Sequence, residues 1–359
     1  MKVLFVSNDP KIFDATSAVH ARLRAYAVAL GLPAQAGELY IVSSAPSGAR
    51  EAHEAPLHLY PVHTSPFFRI PALVWRARKL VREQGIEVVS AQDPFEYGLV
   101  AWKAALFTKA HLHIQLHTDP FAPGFANVGH PMSYINYARW LIMPFVLRRA
   151  ARIRVVLPAL KQHIVERFGI SPERISVLSI YVDLARFRTV VRAPEKGILL
   201  WSGRFEREKG PMLALDALAA ARAAGVDARL IMLGAGHLGA ALKARAKQLG
   251  LDAFVEFPGY TDPFPYLARA ELLLATSEYE GYGLAIIEAL AAGVPVLSTD
   301  VGIAREAGAA IADRATYATA LITLLRRGPT QPSPIPDPYP SFAEYVSAYV
   351  ADLHACLEK

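Results

Sequence analysis

Leu272-Leu273-Leu274-Ala275-Thr276-Ser277-Glu278-Tyr279-Glu280-Gly281-Tyr282-Gly283-Leu284-Ala285-Ile286-Ile287-Glu288-Ala289-Leu290 is the stretch that decides the fold. The apolar run at 272–276 suits a strand covered on both faces. A glycine-bearing turn follows, and residues 283–292 carry apolar side chains at helical spacing. A second apolar run at 295–298 completes a strand–turn–helix–strand unit. Two parallel strands need such a crossover, so the unit implies a parallel sheet with helices on its faces.

The rhythm extends outward in both directions. Upstream, strands are expected at 197–202, 228–233 and 254–257, with helices at 211–224, 238–249 and 264–270. The first half alternates in the same way, with strands at 2–7, 39–43, 88–90, 112–116, 154–157 and 175–178 and helices such as 17–30 and 71–84. The fold class is therefore α/β, built from doubly wound, Rossmann-like parallel sheets. A chain of 359 residues suits two domains of about 150–180 residues. The polar break at 182–196 marks a hinge between a domain over 1–181 and a second over 197–328. A proline-rich bridge (Pro329, Pro332, Pro334, Pro336, Pro338, Pro340) and an amphipathic helix at 342–357 make up the remaining segment, 329–359. A stiff spacer before a terminal helix lets that helix dock at a distance.

Composition bounds the class. Hydrophobic residues are 53% and charged ones 19%, enough apolar material for two cores. The single cysteine, Cys356, excludes a disulfide within the chain and fits a reducing cytosol. No leader pattern and no apolar run of about 20 residues is present. The expectation is a cytoplasmic protein, soluble or peripheral on the inner face of a membrane. The net charge of +6 is unevenly spread: residues 1–180 hold 20 Lys/Arg against 12 Asp/Glu, and residues 181–359 hold 18 against 20. The basic half is compatible with nucleic acid, anionic lipid or an acidic acceptor.

Chemistry concentrates in two loops that follow strands. At 277–284, Gly281 and Gly283 let backbone N–H groups approach a ligand, and the helix N-terminus beyond them favours phosphate. Glu280 sits at the mouth of this helix. Glu288 shares a face with Leu284, expected to turn inward, where a carboxylate needs partners and ribose hydroxyls are suitable. Taken singly, Glu280 is equally a helix cap and Glu288 equally the partner of a buried arginine. The second loop is Gly203-Arg204-Phe205-Glu206-Arg207-Glu208-Lys209-Gly210, where Arg204 and Lys209 are placed to clamp a diphosphate. A solvated charged turn is the plain alternative.

Together, Gly203-Arg204, Lys209-Gly210 and the Glu280-x7-Glu288 pair resemble the retaining GT-B glycosyltransferases of family 4, as do Ala292-Gly293-Val294-Pro295-Val296 and Gly302. The resemblance implies two lobes with a cleft between them and a terminal helix crossing back to the first. It implies transfer of a hexosyl group, with retention, from a UDP- or GDP-linked sugar to a glycan or lipid-linked acceptor. In that reading Gly203, Arg204 and Lys209 hold the diphosphate, Glu288 the ribose, and the backbone of Gly281, Tyr282, Gly283 and Leu284 the nucleotide or sugar. Glu280 stands at the reacting centre, and the Gly234 turn and Tyr260 lie at the donor and its base. His117, at the end of the strand 112–116, resembles the family's active-site histidine, although a core histidine fits the position too. The loop after the first strand, residues 8–18, lacks the family's usual glycines, and Asp14, Thr16 and Asp119 are the acceptor candidates. No cofactor and no metal is expected: the chain has no Asp-x-Asp, and Arg204, Lys209 and the helix N-terminus supply the positive charge.

Other features compete. Gly234-Ala235-Gly236-His237-Leu238-Gly239 is a formal G-x-G-x-x-G, with Glu256 20 residues beyond Gly236, and would suit an NAD-dependent oxidoreductase. It follows the second strand of its lobe, whereas a dinucleotide fingerprint follows the first. A non-catalytic nucleotide-binding protein of the same fold is the other alternative. Phe67-Phe68-Arg69, Trp75-Arg76-Ala77-Arg78-Lys79 and the acid-free run 139–154, with five arginines, suit an anionic membrane surface or the solvated face of ordinary helices. Pro144 is expected to kink a helix there. No recognition motif for nucleic acid accompanies the charge. Asp-Pro-Phe triplets at 93–95, 119–121 and 262–264 read as helix starts.

Overall fold

A computed structural model describes residues 1–31, 37–122, 124, 125, 131–335 and 338–358, with backbone only at 131–133; Pro336 of the proline bridge lies outside them. The chain divides into two compact units. One takes residues 1–117, 128–179 and 339–359, and the other takes 118–127 and 180–338.

The first unit holds an eight-stranded sheet of β1 Lys2–Ser7, β2 Glu38–Ser44, β3 Ala52–Glu54, β4 Leu57–Val62, β5 Val88–Ala91, β6 His111–Leu116, β7 Arg152–Val155 and β8 Ile175–Val177. Their spatial order is β3-β4-β2-β1-β5-β6-β7-β8. Every pairing is parallel except the β3–β4 hairpin, which sequence periodicity did not announce. Pro61 interrupts the apolar pattern of β4, and His53 and His58 give the hairpin a polar look. Runs such as Val3–Val6, buried throughout, are what a sheet covered on both faces demands.

Local signals set the helix ends. Ser17 caps the helix Ala18–Leu30 by accepting from the His20 N–H at 3.0 Å. Ser341 caps the terminal helix Phe342–His354 by accepting from the Glu344 N–H at 3.2 Å. That helix belongs to the first unit and buries Tyr345, Val346, Tyr349 and Leu353. The helix Pro131–Arg149 runs through Pro144.

The second unit holds six parallel strands: β9 Ile198–Ser202, β10 Arg229–Leu233, β11 Val255–Gly259, β12 Leu272–Ala275, β13 Val296–Ser298 and β14 Ala310–Ile311. Their order is β11-β10-β9-β12-β13-β14. Leu199, Trp201, Leu218, Leu230, Met232, Tyr317 and Leu321 form one buried cluster around the β9–β10–β12 centre. Residues 184–188, within the stretch read as a polar hinge, form a short helix capped by Asp183 with Leu184 and Phe187 buried. Among the described residues no helix is long and apolar enough to cross a membrane.

In both sheets the strand order reverses beside the first strand of the unit, between β1 and β5 and between β9 and β12. Open parallel sheets bind ligands outside the carboxyl ends of the strands at such switch points.

Candidate functional site

The 203–210 and 276–283 loops leave the carboxyl ends of β9 and β12, the neighbouring strands of the second switch point. A chain of hydrogen bonds ties them together. Trp201 Nε1 donates to Thr276 Oγ1 at 2.9 Å, and Thr276 Oγ1 donates to the Lys209 carbonyl at 3.1 Å. Gly210 adopts φ +60°, and a Cβ there would lie 2.1 Å from the Thr276 carbonyl oxygen. Only glycine permits this approach.

The result is a fixed cation. Lys209 Nζ donates to both oxygens of Glu280, at 2.6 and 2.7 Å, and Ser277 Oγ donates to Glu280 Oε1 at 2.8 Å. Both charged side chains are only partly accessible, 22% for Lys209 and 15% for Glu280, so their attraction is screened less than that of a surface pair. Glu280 is thus the partner of Lys209 rather than a cap on the following helix. Arg204 is the more exposed of the two expected clamp residues and reaches back to Glu208 at 2.8 Å. Behind them, Glu278 sits 4.0 Å from Arg207 and 3.7 Å from Arg314.

The helix Leu284–Ala291 starts at Gly283, φ +99°, which has no side chain to satisfy the first-turn N–H groups. Gly281 and Tyr282 are buried beside it. Gly302 passes under the turn: a Cβ there would meet the Tyr282 carbonyl oxygen at 2.4 Å. One expectation is corrected here. The inward face of the helix is Ile286, Ile287 and Leu290, whereas Leu284 is 43% exposed. Eight residues packed on β12 and β13 bury one stripe, and positions 284 and 288 lie off it.

Glu288 is nevertheless only partly exposed, and no hydrogen bond among the described residues holds its carboxylate. Burial pushes its pKa up to about 7, against the pull of Arg186 and with a smaller push from Asp262. Arg186 itself is paired with Asp262, so the ion pair with a buried arginine does not form. Tyr260 follows β11 and is 86% exposed.

The G-x-G-x-x-G loop is explained by packing. A Cβ at Gly234 would lie 1.9 Å from the Gly203 carbonyl oxygen, and one at Gly236 would lie 2.6 Å from that of Phe205. The Phe205 N–H donates to Ala235 and the Leu238 N–H to Phe205, at 2.9 and 3.0 Å. These glycines make room for the 203–206 loop, and Glu256 is exposed on the edge strand β11.

His117, Asp14 and Thr16 belong to the first unit and Asp119 to the second. Asp14 and Thr16 satisfy each other: Thr16 N–H and Oγ1 donate to Asp14 Oδ1 at 3.0 and 2.7 Å. Both are exposed in a local turn, and their mutual bonds are those of an Asx turn. Asp119 Oδ1 accepts from the Phe121 N–H at 2.8 Å, and the triplets at 93 and 262 repeat this bond at 2.7 and 3.2 Å. All three are Asx turns two residues long, not N-caps.

His117 Nε2 lies 3.1 Å from Gln115 Oε1. Burial holds its pKa down to about 3, helped by the charges of Arg154, Arg22 and His113. The imidazole is neutral at physiological pH. Around it runs a buried network that sequence reasoning missed. Gln115 bonds Ser90, Arg154 and Tyr349, His113 bonds Ser90 at 2.8 Å and Asp352 at 3.1 Å, and Arg152 donates to Asp352 at 2.5 Å. The acid-free run 139–154 is therefore not one basic surface. Arg154 is buried, Arg152 serves Asp352, Arg139 bonds Glu96 at 2.9 Å, and Arg148 and Arg149 are exposed. The other stretch does reach solvent, with Phe67, Phe68 and Trp75 exposed by 85%, 59% and 65%. Among the described residues no three His, Cys, Asp or Glu side chains are grouped as a metal ion requires.

Comparison with known proteins agrees with this geometry. The family described as glycosyl transferases group 1 matches residues 196–327, and that described as glycosyltransferase family 4 matches 22–186. The N-acetylgalactosamine-N,N'-diacetylbacillosaminyl-diphospho-undecaprenol 4-alpha-N-acetylgalactosaminyltransferase of Campylobacter jejuni is 28% identical over 65% of this chain and 63% of its own length. The GDP-mannose-dependent alpha-(1-6)-phosphatidylinositol dimannoside mannosyltransferase of Mycobacterium tuberculosis is 38% identical over 32% of this chain and 30% of its own. The chain thus spans less than two thirds of the length of these relatives. Sucrose-phosphate synthase from Thermosynechococcus elongatus superposes with a TM-score of 0.72 at 17% identity, over 100% of this chain and 97% of that one, and shares the GT-B fold.

Proposed function

This chain belongs to the group 1 glycosyltransferases of family 4, and on that premise we propose that it moves a hexosyl group from a nucleotide-diphosphate sugar to a hydroxyl of a glycan or lipid-linked acceptor, with retention. The observation that carries the proposal is the pairing, at one switch point, of a fixed cation with a partly buried carboxylate that no hydrogen bond among the described residues holds. Lys209 is held by Thr276 and Glu280 where a diphosphate would meet the helix N-terminus at Gly283. Glu288 offers ribose hydroxyls an acceptor whose burial the pull of Arg186 offsets only in part.

In this reading the bond between the anomeric carbon and the phosphate oxygen breaks as the acceptor oxygen approaches from the same face. The acceptor's proton passes to the departing phosphate, so no enzyme nucleophile is required. The nucleoside diphosphate gains charge as it leaves, and Lys209, Arg204 and the first-turn N–H groups stabilise that charge more in the transition state than before it. His117, neutral, accepts or donates a hydrogen bond at the reacting sugar. Binding of UDP, GDP, ADP and NAD, followed by calorimetry on wild type and Lys209→Ala, tests the site. One nucleoside diphosphate should bind and be lost in the variant. Binding of NAD alone would establish the oxidoreductase instead.

Both relatives act on acceptors whose names include a lipid carrier, diphospho-undecaprenol and phosphatidylinositol. These names support a lipid-linked acceptor, and we propose that it is met at the inner face of a membrane. The exposed Phe67, Phe68 and Trp75, with exposed Arg69 and Lys79 beside them, suit an anionic interface. Flotation with vesicles of phosphatidylglycerol should recover wild type but not a Phe67→Ser, Trp75→Ser variant. Equal recovery removes the membrane from the proposal.

A further inference from the structure

Gln115 is buried at the end of β6, and its amide is held from three elements. Its Nε2 donates to Ser90 Oγ on β5 at 3.0 Å and to Tyr349 Oη on the terminal helix at 2.8 Å. Its Oε1 accepts from Arg154 Nη1 on β7 at 2.9 Å. A guanidinium has donors only, so the carbonyl end of the amide must face Arg154. That same oxygen lies 3.1 Å from His117 Nε2. An amide oxygen brings no proton, so the proton in this hydrogen bond is the histidine's. A neutral imidazole carries one N–H. Among the described residues the charges that act on the ring, those of Arg154, Arg22 and His113, are basic, and with burial they oppose a second proton.

We propose that Gln115 is a positioning residue that fixes His117 as the Nε2–H tautomer, leaving the Nδ1 lone pair to accept a hydrogen bond from a hydroxyl of the reacting sugar. Tyr349 and Arg154 are part of the same device, since each holds one end of the amide. The terminal helix, more than 200 residues away in sequence, thereby orients the histidine. Neither carbonyls nor anions can bond Nδ1 in this state, so the site selects a ligand atom that carries a proton. The catalytic part of the inference rests on the role given to His117 above. The tautomer itself does not.

Long-range proton–nitrogen NMR on the histidine-labelled full chain reads the tautomer directly. The expected pattern for His117 is a protonated Nε2 and a bare Nδ1, unchanged between pH 6 and pH 8. A protonated Nδ1, or a mixture of the two, overturns the inference. Gln115→Leu should release the ring into a mixture of tautomers and lower kcat by about tenfold or more with little change in the donor KM. Gln115→Glu keeps an acceptor for Arg154 and His117, and the Ser90 and Tyr349 hydroxyls can turn to donate to it. It should retain the Nε2–H tautomer and much of kcat. Its added carboxylate raises the pKa of the ring, so its rate should fall at acid pH where wild type does not. Equal losses in both variants with unshifted pH profiles would reduce Gln115 to a structural residue and refute the proposal. His117→Ala separates the two readings: wild-type transfer by that variant removes the histidine from the reaction, whereas the NMR result decides the tautomer either way.

Discussion

If Glu288 binds the donor ribose as a carboxylate, donor affinity must depend on pH in a calculable way. Burial pushes its pKa up to about 7. About a tenth of the molecules are then ionised at pH 6 and about nine tenths at pH 8, so the apparent Kd at pH 6 should be about tenfold weaker. Glu288→Gln keeps one acceptor and removes the charge. A charged hydrogen bond exceeds a neutral one by about 1 kcal/mol, so the variant should bind about fivefold more weakly at pH 8. It should show no pH dependence of its own, and the two curves should cross at about pH 6 to 7. Stability moves the other way. The folded pKa lies above the ordinary 4.5, so the native protein holds the extra proton, and wild type loses stability as pH rises from about 4.5 to 7. At pH 8 the variant should be the more stable, by about 3 kcal/mol or less given the partial exposure of the group. Calorimetry should use intact nucleotide sugars, because the terminal phosphate of a free diphosphate titrates in the same range. A wild-type affinity that stays flat from pH 6 to pH 8, or a variant with the wild-type slope, refutes the assignment of Glu288 to the ribose.

Two further predictions concern what holds each unit. Gly210→Ala places a Cβ 2.1 Å from the Thr276 carbonyl at φ +60°, whereas Gly225→Ala, at φ +79°, meets nothing within 4 Å; urea unfolding should show a cost of about 1 kcal/mol for the second and several for the first, and equal costs would show that the 207–210 loop is not packed as described. Burial alone would raise the pKa of Asp352, but His113 and Arg152 hold it well below the usual carboxylate range, so its contribution is present above about pH 4 and lost as pH falls. Asp352→Asn should cost about 3–5 kcal/mol at pH 7, a difference that shrinks progressively as pH falls below about 4 towards the depressed folded pKa, read by acid-unfolding curves of the two proteins.

The parallel sheets were legible because strands buried on both faces read as unbroken apolar runs, as in Leu230–Leu233 and Leu272–Leu274. The loops at 203–210 and 277–284 were legible because glycine and charge at strand ends have few other uses. What stayed hidden depended on distant partners. In β6, His113 and Gln115 alternate with Leu112, Ile114 and Leu116, a pattern that normally means a polar face in water. Here that face is buried because Asp352 and Tyr349, some 240 residues later, cover it. The same gap led Arg152 and Arg154 to be counted with a basic surface. Periodicity also turned the wrong face of Glu288's helix inward: in an eight-residue helix, apolar side chains at 284, 286, 287 and 290 point in more than one direction, and only packing on β12 and β13 chooses among them.

Asp352 and Glu288 show why a buried carboxylate is not by itself a sign of function. Both are largely withdrawn from water, and for both the first effect of burial is to disfavour the charge. Asp352 is answered within its own unit. Arg152 and His113 each bond one of its oxygens, and its charge is stabilised below the ordinary range. Removing either partner exposes the cost of the burial, so the group acts to fix the terminal helix on β6 and β7. Among the described residues Glu288 has no such answer. Arg186, the nearby cation, is committed to Asp262, and the pKa of Glu288 rises instead. A carboxyl so incompletely compensated costs stability, and it is this cost that motivates a ligand for it in the proposed function. Glu288 lies one turn into the helix that follows β12, and the loop carrying Lys209 follows β9, the neighbouring strand at the same switch point. In the proposed function, the partner that satisfies it brings hydroxyl donors at one end and negative charge at the other, as a nucleoside diphosphate does.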